Sequence, residues 1–234
     1  MCEPTSGNKP NLNSTPSEFD TTFQIRQNGV LSPSDFETIY HNSLFGSPES
    51  RSGPGSTLAQ TSHIRAVLAQ LIRELDIRTL LDVPCGDFHW MSHVELSHIH
   101  YIGGDIVTSM IRKNHSDHGS ENIEFRVLDI VNDELPRADM ILCRDCLVHL
   151  TLEDGVKAIE NFKRSGARYL LSTTFPEHRG NSDEFRYWRT VDLEGEPFTL
   201  GSPVRLVREG CTEVHRGEGY GDKSLGLWDL WVGR

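Results

Sequence analysis

Hydrophobic and polar positions in the first part of the chain follow a helical period. Between Ile64 and Leu75, apolar residues recur every three or four positions, which places them on one face of a helix. A shorter helix is expected after Ser32, because this capping serine is followed by a proline and an aspartate ahead of Phe36. The stretch 46–56, rich in glycine, serine and proline, should separate the two helices.

From residue 78 onward, the pattern changes to short apolar runs that end in acidic or glycine-rich turns. Runs of this length predict buried β-strands. We expect strands at 79–83, 99–105, 123–129, 139–143 and 169–175. Helices are expected between them, including one that begins at the capping residue Thr151. Strands that alternate with helices predict an α/β fold, with a mostly parallel sheet covered on both faces.

The later part of the chain predicts an addition to this sheet. Residues 176–203 are polar and without a clear period, so we expect a substrate-side insertion over the sheet edge. Further strands are expected at 203–209 and 224–232, and because only a loop separates them, an antiparallel hairpin beside the parallel sheet is favoured. Trp228 and Trp231, in the second of these strands, are expected to lie in the core.

Composition and charge narrow the class of protein. The 234 residues are 36% hydrophobic and carry a formal net charge of −11, which suits one folded domain. This acidic balance argues against a nonspecific nucleic-acid binder, because such proteins present a basic surface to the phosphates. No apolar run approaches the ~20 residues that cross a bilayer, so no membrane association is expected. The five cysteines do not indicate a disulfide scaffold, which fits a reducing compartment.

Three segments are expected along the chain. Residues 1–20 have few large apolar side chains and lack the pattern of a secretory signal, so they predict a flexible tail on a cytoplasmic protein. Residues 21–56 should form a helical cap and loop, and residues 57–234 the main domain.

The strongest chemical signal lies where the predicted strands end. The first strand runs into an acidic turn, and Gly86 in that turn allows a ligand to approach the backbone closely. Asp105 ends the second strand about twenty residues later, the spacing at which a carboxylate accepts hydrogen bonds from ribose hydroxyls. Asp129 ends the third strand, where it could meet an adenine amino group. Because the carboxyl ends of parallel strands share one edge, these residues predict a nucleotide site.

Four sequence strings at the ends of these strands, taken in their order along the chain, resemble the motifs of the class I S-adenosylmethionine-dependent methyltransferases. The matching strings are Asp82-Val83-Pro84-Cys85-Gly86-Asp87-Phe88, Gly104-Asp105-Ile106, Asp129-Ile130 and Asp139-Met140-Ile141-Leu142-Cys143-Arg144-Asp145. The resemblance covers roughly residues 57–232. It implies a Rossmann-like fold with a seven-stranded sheet, an antiparallel last strand and helices on both faces. Pro84 and Phe88 stand where many members have glycines, so the cofactor loop must have a different shape.

Within that superfamily, three strings resemble a bacterial subgroup associated with surface sugars or small secondary metabolites. They are residues 52–56, 84–91 and 143–150. The resemblance implies S-adenosyl-L-methionine as the cofactor. It also implies biosynthetic methyl transfer to an oxygen, in preference to a nitrogen, of a small polar metabolite or an activated sugar.

Under this resemblance, each candidate residue receives a role. Asp105 would hold the ribose, and Asp129 with Ile130 would hold the adenine. Either His149 or Asp145 would remove the acceptor's proton, since Asp145 follows the fourth strand and an imidazole has an unperturbed pKa of ~6.5. The other cofactor-side candidates are Asp82, Pro84, Cys85, Gly86, Asp87, Ile106 and Arg144, with Arg51 or Arg65 for the cofactor's carboxylate. The acceptor-side candidates are Trp188, by stacking, and Arg189, by ion pairing.

Other interpretations of the same residues stay open. A nicotinamide-binding protein would carry a G-x-G-x-x-G turn, which is absent after the first strand. Cys143, Cys146 and His149 form a C-x-x-C-x-x-H string, but structural zinc takes four ligands and no second pair follows at a suitable spacing, so core packing is favoured over a metal. A non-catalytic nucleotide-binding partner with this fold and an RNA methyltransferase are the alternative functions.

Overall fold

The helices form where the apolar period predicts them, in a computed structural model that describes residues 31–182, 188–215 and 218–231. The α-helices within these ranges are α1 (Pro33–Asn42), α2 (Ser62–Glu74), α3 (Thr108–His118) and α4 (Leu152–Arg164). The tail expected at 1–20 and the first ten residues of the cap expected at 21–56 lie outside the described residues.

Local capping chemistry sets the starts of α1 and α4. At α1, the backbone N–H of Ser32 donates to the Asp35 carboxylate at 2.7 Å and forms part of a capping box. At α4, the hydroxyl oxygen of Thr151 accepts a hydrogen bond from the Asp154 backbone N–H at 3.0 Å. The predicted cap at Thr151 is therefore confirmed.

Seven strands form one mixed sheet. The described residues contain nine strands in all, which in chain order are β1 (Thr79–Asp82), β2 (His100–Asp105), β3 (Ile123–Val127), β4 (Met140–Cys143), β5 (Tyr169–Thr174), β6 (Arg205–Arg208), β7 (Val214–His215), β8 (Glu218–Gly219) and β9 (Ser224–Asp229). The sheet has the order β3-β2-β1-β4-β5-β9-β6, and β7 pairs only with β8. β1 to β5 are parallel, whereas β9 is antiparallel to both β5 and β6. The predicted α/β fold class is confirmed, with β9 inside the sheet between β5 and β6.

The two faces of the sheet bury separate sets of apolar residues. Adjacent residues of a strand point to opposite faces, so Leu80 and Leu81 belong to different core clusters. Leu80 packs with α2 residues such as Leu68, and Leu81 packs with α4 residues such as Phe162. Helices therefore cover both faces, as the near-continuous apolar character of the central strands requires.

The connection from β1 to β2 differs from the sequence prediction. A helix was expected between the first two strands, but this stretch contains only a 3-10 turn, Met91–His93. Phe88 has a left-handed φ of +59°, which turns the chain away from a right-handed helical path. Its ring is buried against Tyr101 and Phe125, with ring centroids 5.2 Å and 5.1 Å away. Packing thus holds Phe88 in a conformation that usually favours glycine.

The expected core position of Trp231 is wrong, whereas that of Trp228 is confirmed. Trp228 is buried, and its indole N–H donates to the carbonyl oxygen of Gly201 at 2.8 Å. Trp231 is 50% exposed. β9 ends at Asp229, whose carboxylate accepts from the Trp231 backbone N–H at 3.0 Å, so the alternation of the strand no longer directs Trp231 inward. Within the described ranges, none of the helices combines the length and apolar character that a bilayer span requires.

The cap of α4 gives a first test of this fold. Replacing Thr151 with Ala removes the side-chain acceptor for Asp154 and should lower the free energy of unfolding by about 1 kcal/mol. Thr151→Ser keeps the hydroxyl and should match the wild type. Urea unfolding followed by circular dichroism measures both variants, and equal stability of the Ala and Ser variants would contradict the role of the cap.

Candidate functional site

A cavity of about 750 Å³ opens at the carboxyl ends of β1 to β5. Each of these strands contributes lining residues at or just after its last position: Asp82, Asp105, Asp129, Asp145 and Phe175. This is the edge at which ligands bind in open α/β sheets, and the volume is typical of small-molecule pockets. Residues 36–56, from α1 and the following loop, form the roof of the cavity.

Most of the residues that the sequence indicated line this cavity. They are Arg51, Asp82, Pro84, Cys85, Gly86, Asp105, Ile106, Asp129, Ile130, Arg144, Asp145, His149 and Trp188. Asp87, Arg65 and Arg189 are not among the lining residues in the described part of the chain. The structure therefore brings most of the candidate residues together in one cavity and gives several of them other contacts.

Asp105 holds the turn that follows β1. Its carboxylate accepts hydrogen bonds from the backbone N–H groups of Gly86 at 3.2 Å and Val107 at 3.0 Å. Gly86 has a φ of +58°, and a Cβ there would lie 2.3 Å from the hydroxyl oxygen of Ser52, so glycine is required. Burial raises the pKa of Asp105 to about 6.

Asp82 is the most deeply placed carboxylate of the site. It is 2% exposed and accepts a hydrogen bond from the Tyr101 hydroxyl at 2.6 Å. Burial raises the pKa of Asp82 to about 7; the bond from Tyr101 opposes this shift and the nearby charge of Asp105 adds to it. Asp82 therefore carries a proton more readily than an ordinary aspartate.

Asp129 lies between two buried apolar residues, Leu128 and Ile130. Its carboxylate accepts from the backbone N–H of Val131 at 2.9 Å and from the side-chain amide of Asn132 at 2.8 Å. These bonds fix a negative charge beside an apolar part of the cavity.

Asp87 fastens the roof of the cavity to the turn after β1. Its carboxylate accepts hydrogen bonds from the Ser50 hydroxyl at 3.0 Å, the Arg51 backbone N–H at 2.7 Å and the Ser52 hydroxyl at 3.2 Å. The side chain proposed as a cofactor ligand is thus engaged by residues 50–52 of the roof.

The two arginines proposed for the cofactor's carboxylate make contacts with backbone carbonyls. The Arg51 guanidinium donates to the carbonyl oxygens of Tyr40 at 2.9 Å and His41 at 3.3 Å, at the carboxyl end of α1. Arg65 donates to the carbonyl oxygen of Leu58 at 3.1 Å. Arg51 therefore joins α1 to the loop that follows it in the roof. Arg65 is not part of the described cavity lining.

A group of four charges lies on the β4 side of the cavity; Arg144, Glu209 and Lys223 are buried, and Asp145 is partly exposed. The Arg144 guanidinium donates to the Glu209 carboxylate at 2.6 Å, and the Lys223 ammonium donates to Asp145 at 2.6 Å. Arg144 also donates to the carbonyl oxygen of Gly55 at 3.0 Å, which ties this group to the roof. Burial raises the pKa of Asp145, but the charges of Lys223 and Arg144 outweigh it and bring the value to about 2.

Sequence analysis missed Glu209 and Lys223. Glu209 directly follows β6 and Lys223 directly precedes β9, and charged residues at strand ends are ordinarily solvated. The only available signal was the unpaired cation of Arg144 after an apolar strand, because a buried charge requires a partner. The sequence alone does not say which acidic residue supplies it.

Of His149 and the two acceptor-side candidates, His149 and Trp188 line the cavity and Arg189 does not. His149 ends a 3-10 turn, Leu147–His149, and lines the cavity. Trp188 lines it as well, whereas Arg189 is buried, and the Arg189 backbone N–H donates to the carbonyl oxygen of Val148 at 3.0 Å. The insertion is therefore hydrogen-bonded to the turn that carries His149.

The residues of the C-x-x-C-x-x-H string lie partly in the core and partly in the cavity lining. Cys143 is fully buried in the core, and Cys146 lines the cavity. The hydrogen bond with Cys143, together with burial, raises the pKa of Cys146 well above its ordinary value. Among the described residues, no group of three or more His, Cys, Asp or Glu side chains is placed to hold a metal ion.

No family model matches this sequence, and no curated protein matches it. Solved structures match its fold. An O-methyltransferase family protein from Burkholderia thailandensis is 18% identical, with a TM-score of 0.51 over 74% of this chain. This chain covers only 57% of that protein.

Two methyltransferases solved with a ligand also match. Magnesium protoporphyrin IX methyltransferase from Synechocystis PCC 6803, with bound SAM, is 17% identical, with a TM-score of 0.53 over 74% of this chain and 80% of its own. The N-methyltransferase NodS from Bradyrhizobium japonicum WM9, in complex with S-adenosyl-L-homocysteine, is 13% identical, with a TM-score of 0.56 over 82% of this chain and 97% of its own. At such identities the likeness shows the fold, which is that of class I methyltransferases.

The raised pKa of Asp82 predicts a pH-dependent stability. The folded protein retains the proton up to about pH 7, while an unfolded aspartate releases it near its ordinary value of 3.8. Asp82 therefore makes the free energy of unfolding fall as the pH rises between these values. Replacing Asp82 with Asn removes this contribution, so the melting temperature of the variant relative to wild type should increase from pH 5 to pH 8.

A matched control is Asp76→Asn, since the side chain of Asp76 is 79% exposed and pairs with Arg78 at the surface. Differential scanning calorimetry at several pH values should give this control the same slope as the wild type. Parallel curves for wild type and Asp82→Asn would contradict the assignment.

Proposed function

We propose that this chain transfers the methyl group of S-adenosyl-L-methionine to an oxygen, in preference to a nitrogen, of a small molecule. One observation carries the proposal. Asp105 and Asp129, from different strands, line a single cavity with the glycine turn at Gly86, in a fold shared with solved methyltransferases. The neighbours solved with SAM or its demethylated product support the same cofactor here.

The described residues fit this cofactor in hydrogen bonding. A carboxylate has about four acceptor positions, and backbone N–H groups use one on each oxygen of Asp105. The remaining positions suit the two hydroxyls of a ribose. The fixed carboxylate of Asp129 beside Ile130 suits the amino edge of an adenine lying on an apolar surface.

The charge of the lining also fits. Apart from Asp82, which retains a proton up to about pH 7, its described carboxylates are Asp105, Asp129, Asp145 and Glu213, and its described arginines and lysines are Arg51, Arg144 and Lys223. Acidic groups outnumber basic ones, which favours a ligand that carries a positive charge. S-adenosyl-L-methionine supplies, when bound, an electrophilic methyl group on a positively charged sulfur.

The chain has then to orient the acceptor and take its proton. Asp145 is a poor base, because its pKa is about 2 and Lys223 already donates to its carboxylate. His149 lines the same cavity, and a neutral imidazole accepts protons near neutral pH. We therefore assign the general base to His149. The ionised Asp145 carboxylate interacts with the charge of His149 and would stabilise the imidazolium that forms.

Cofactor binding is tested by replacing Asp105 with Asn. Loss of the negative charge should weaken the affinity for S-adenosyl-L-methionine by about tenfold to a hundredfold, because hydrogen bonds to charged groups contribute about 1.5–3 kcal/mol. Isothermal titration calorimetry measures the dissociation constant. The control Asp117→Asn removes an exposed carboxylate of α3 that pairs with Lys113 and should leave it unchanged. Equal affinity of Asp105→Asn and wild type would refute the ribose assignment.

Proton removal is tested by replacing His149 with Gln. General-base catalysis contributes about a hundredfold or more, so kcat should fall by that factor while cofactor affinity stays within about twofold. Release of S-adenosylhomocysteine with the best substrate of an acceptor panel gives the rate. His98→Gln, at an exposed position, is the control. A rate that survives in His149→Gln sinks the assignment, and cofactor binding without turnover on any acceptor favours a non-catalytic binding partner.

A further inference from the structure

The end of the cavity beyond β4 is walled on its roof side by aromatic rings. Phe36 from α1 and Phe45 from the following loop both line the cavity. Their ring centroids each lie 6.1 Å from that of His149, with Phe36 edge-on at 81° and Phe45 tilted at 35°. Both phenylalanines are only half-buried, so part of their apolar surface faces the cavity rather than the core.

A second aromatic wall lies beyond β5. Trp188 and Tyr220 have ring centroids 4.7 Å apart, and Phe175 packs edge-on against Trp188 at 5.8 Å. All three line the cavity. Phe175 and Tyr220 also belong to the core cluster under α4, so this wall is packed against the hydrophobic core.

Backbone hydrogen bonds bring the second wall next to His149. The Arg189 N–H donates to the carbonyl oxygen of Val148 at 3.0 Å, so Trp188 lies beside the turn that ends at His149. The Phe175 N–H donates to the carbonyl oxygen of Val191 at 2.8 Å and holds the same segment from the other side. The proposed base therefore lies against the rings of Phe36 and Phe45, and the turn that carries it is hydrogen-bonded to the segment that carries Trp188.

The arginines and lysine that line the described part of the cavity already have partners. Arg144 pairs with Glu209, Lys223 with Asp145, and Arg51 with carbonyl oxygens of α1. A phosphate-bearing acceptor, such as a nucleotide-activated sugar, would have to displace these partners and would meet the carboxylates of Asp145 and Glu213, which line the cavity. An uncharged aromatic acceptor meets neither obstacle, and flat rings pack well in edge and offset arrangements.

We propose that the methyl acceptor is a flat aromatic molecule with a hydroxyl group, held between the wall of Phe36 and Phe45 and the wall of Phe175, Trp188 and Tyr220. This inference rests on the proposed function and names its substrate class. The hydroxyl oxygen forms a bond to the methyl carbon as the carbon–sulfur bond breaks, and sulfur keeps the electron pair. His149 takes the hydroxyl proton, so the products are an aryl methyl ether and S-adenosylhomocysteine.

The test compares three hydroxyl compounds by calorimetry, with and without S-adenosylhomocysteine present. 2-Naphthol is aromatic, decahydro-2-naphthol has the same carbon skeleton without the aromatic system, and methyl glucoside is a sugar. We expect 2-naphthol to bind about three- to tenfold more tightly than its saturated counterpart, as aromatic contacts of this kind contribute beyond their buried area. Methyl glucoside should bind most weakly, and turnover should follow the same order.

Variants locate the binding. Trp188→Leu and Phe36→Leu should each weaken 2-naphthol binding about three- to tenfold and leave the affinity for S-adenosyl-L-methionine within about twofold. Trp231→Leu changes a half-exposed tryptophan outside the described cavity lining and should alter neither affinity. Equal binding of the two naphthol skeletons, methylation of the glucoside but not of 2-naphthol, or unaltered binding by both variants would each overturn the inference.

The two proposals fail in different ways. Binding of 2-naphthol at the Trp188 wall by a protein that does not bind S-adenosyl-L-methionine would refute the proposed function and support the aromatic site. Binding of the cofactor by a protein that does not bind 2-naphthol would refute the aromatic acceptor and leave the proposed function in place.

Discussion

The cavity depends on the carboxylate of Asp87, which joins two parts of the chain that are 35 to 37 residues apart. Asp87 lies in the turn after β1 and accepts hydrogen bonds from residues 50–52, so the roof segment is fixed to the edge of the sheet. Bonds to an ionised acceptor are stronger than those between neutral groups, and several of them on one carboxylate define its position. Arg51, in the attached segment, also donates to carbonyl oxygens at the end of α1, the helix that carries Phe36. A sheet edge alone would offer an open groove, whereas the attached roof encloses it.

The group of four charges around Arg144 joins the later strands to the cavity in a similar way. Arg144 follows β4, Glu209 follows β6 and Lys223 precedes β9, so their pairing joins three strand ends in one place. Removing one member leaves another charge buried without its partner. This lowers the free energy of unfolding far more than replacing the whole pair with apolar residues would. The group also explains why Asp145 stays ionised and is held by Lys223 instead of acting as a base. Of the two candidates for the general base, the surrounding charges thus make Asp145 a fixed anion and leave His149 as the proton acceptor.

Much of the fold follows from local pattern, because apolar period and capping act over a few residues. The helices at Ser62–Glu74 and Leu152–Arg164 and the five parallel strands were predicted on that basis. The acids at the strand ends located the cavity, since parallel strands share one carboxyl edge. Contacts between segments far apart in the chain could not be predicted in this way. Asp87 and Arg51 form hydrogen bonds that hold the roof. Lys223 pairs with Asp145, which is 78 residues away in the chain. Phe88 and Trp231 departed from expectation because packing and the end of a strand overrode local pattern.

The position of β9 inside the sheet has a consequence for how the protein is made. β1 to β5 are complete in the growing chain at Thr174, but the partner that covers the outer edge of β5 is residues 224–229. Until the ribosome has synthesised that segment, the nascent sheet presents a buried-type strand with unpaired backbone groups, and such edges promote association between chains. We therefore expect slow translation between residues 174 and 229, or a shortage of chaperones during that interval, to lower the yield of soluble protein. Neither would alter any residue of the finished site.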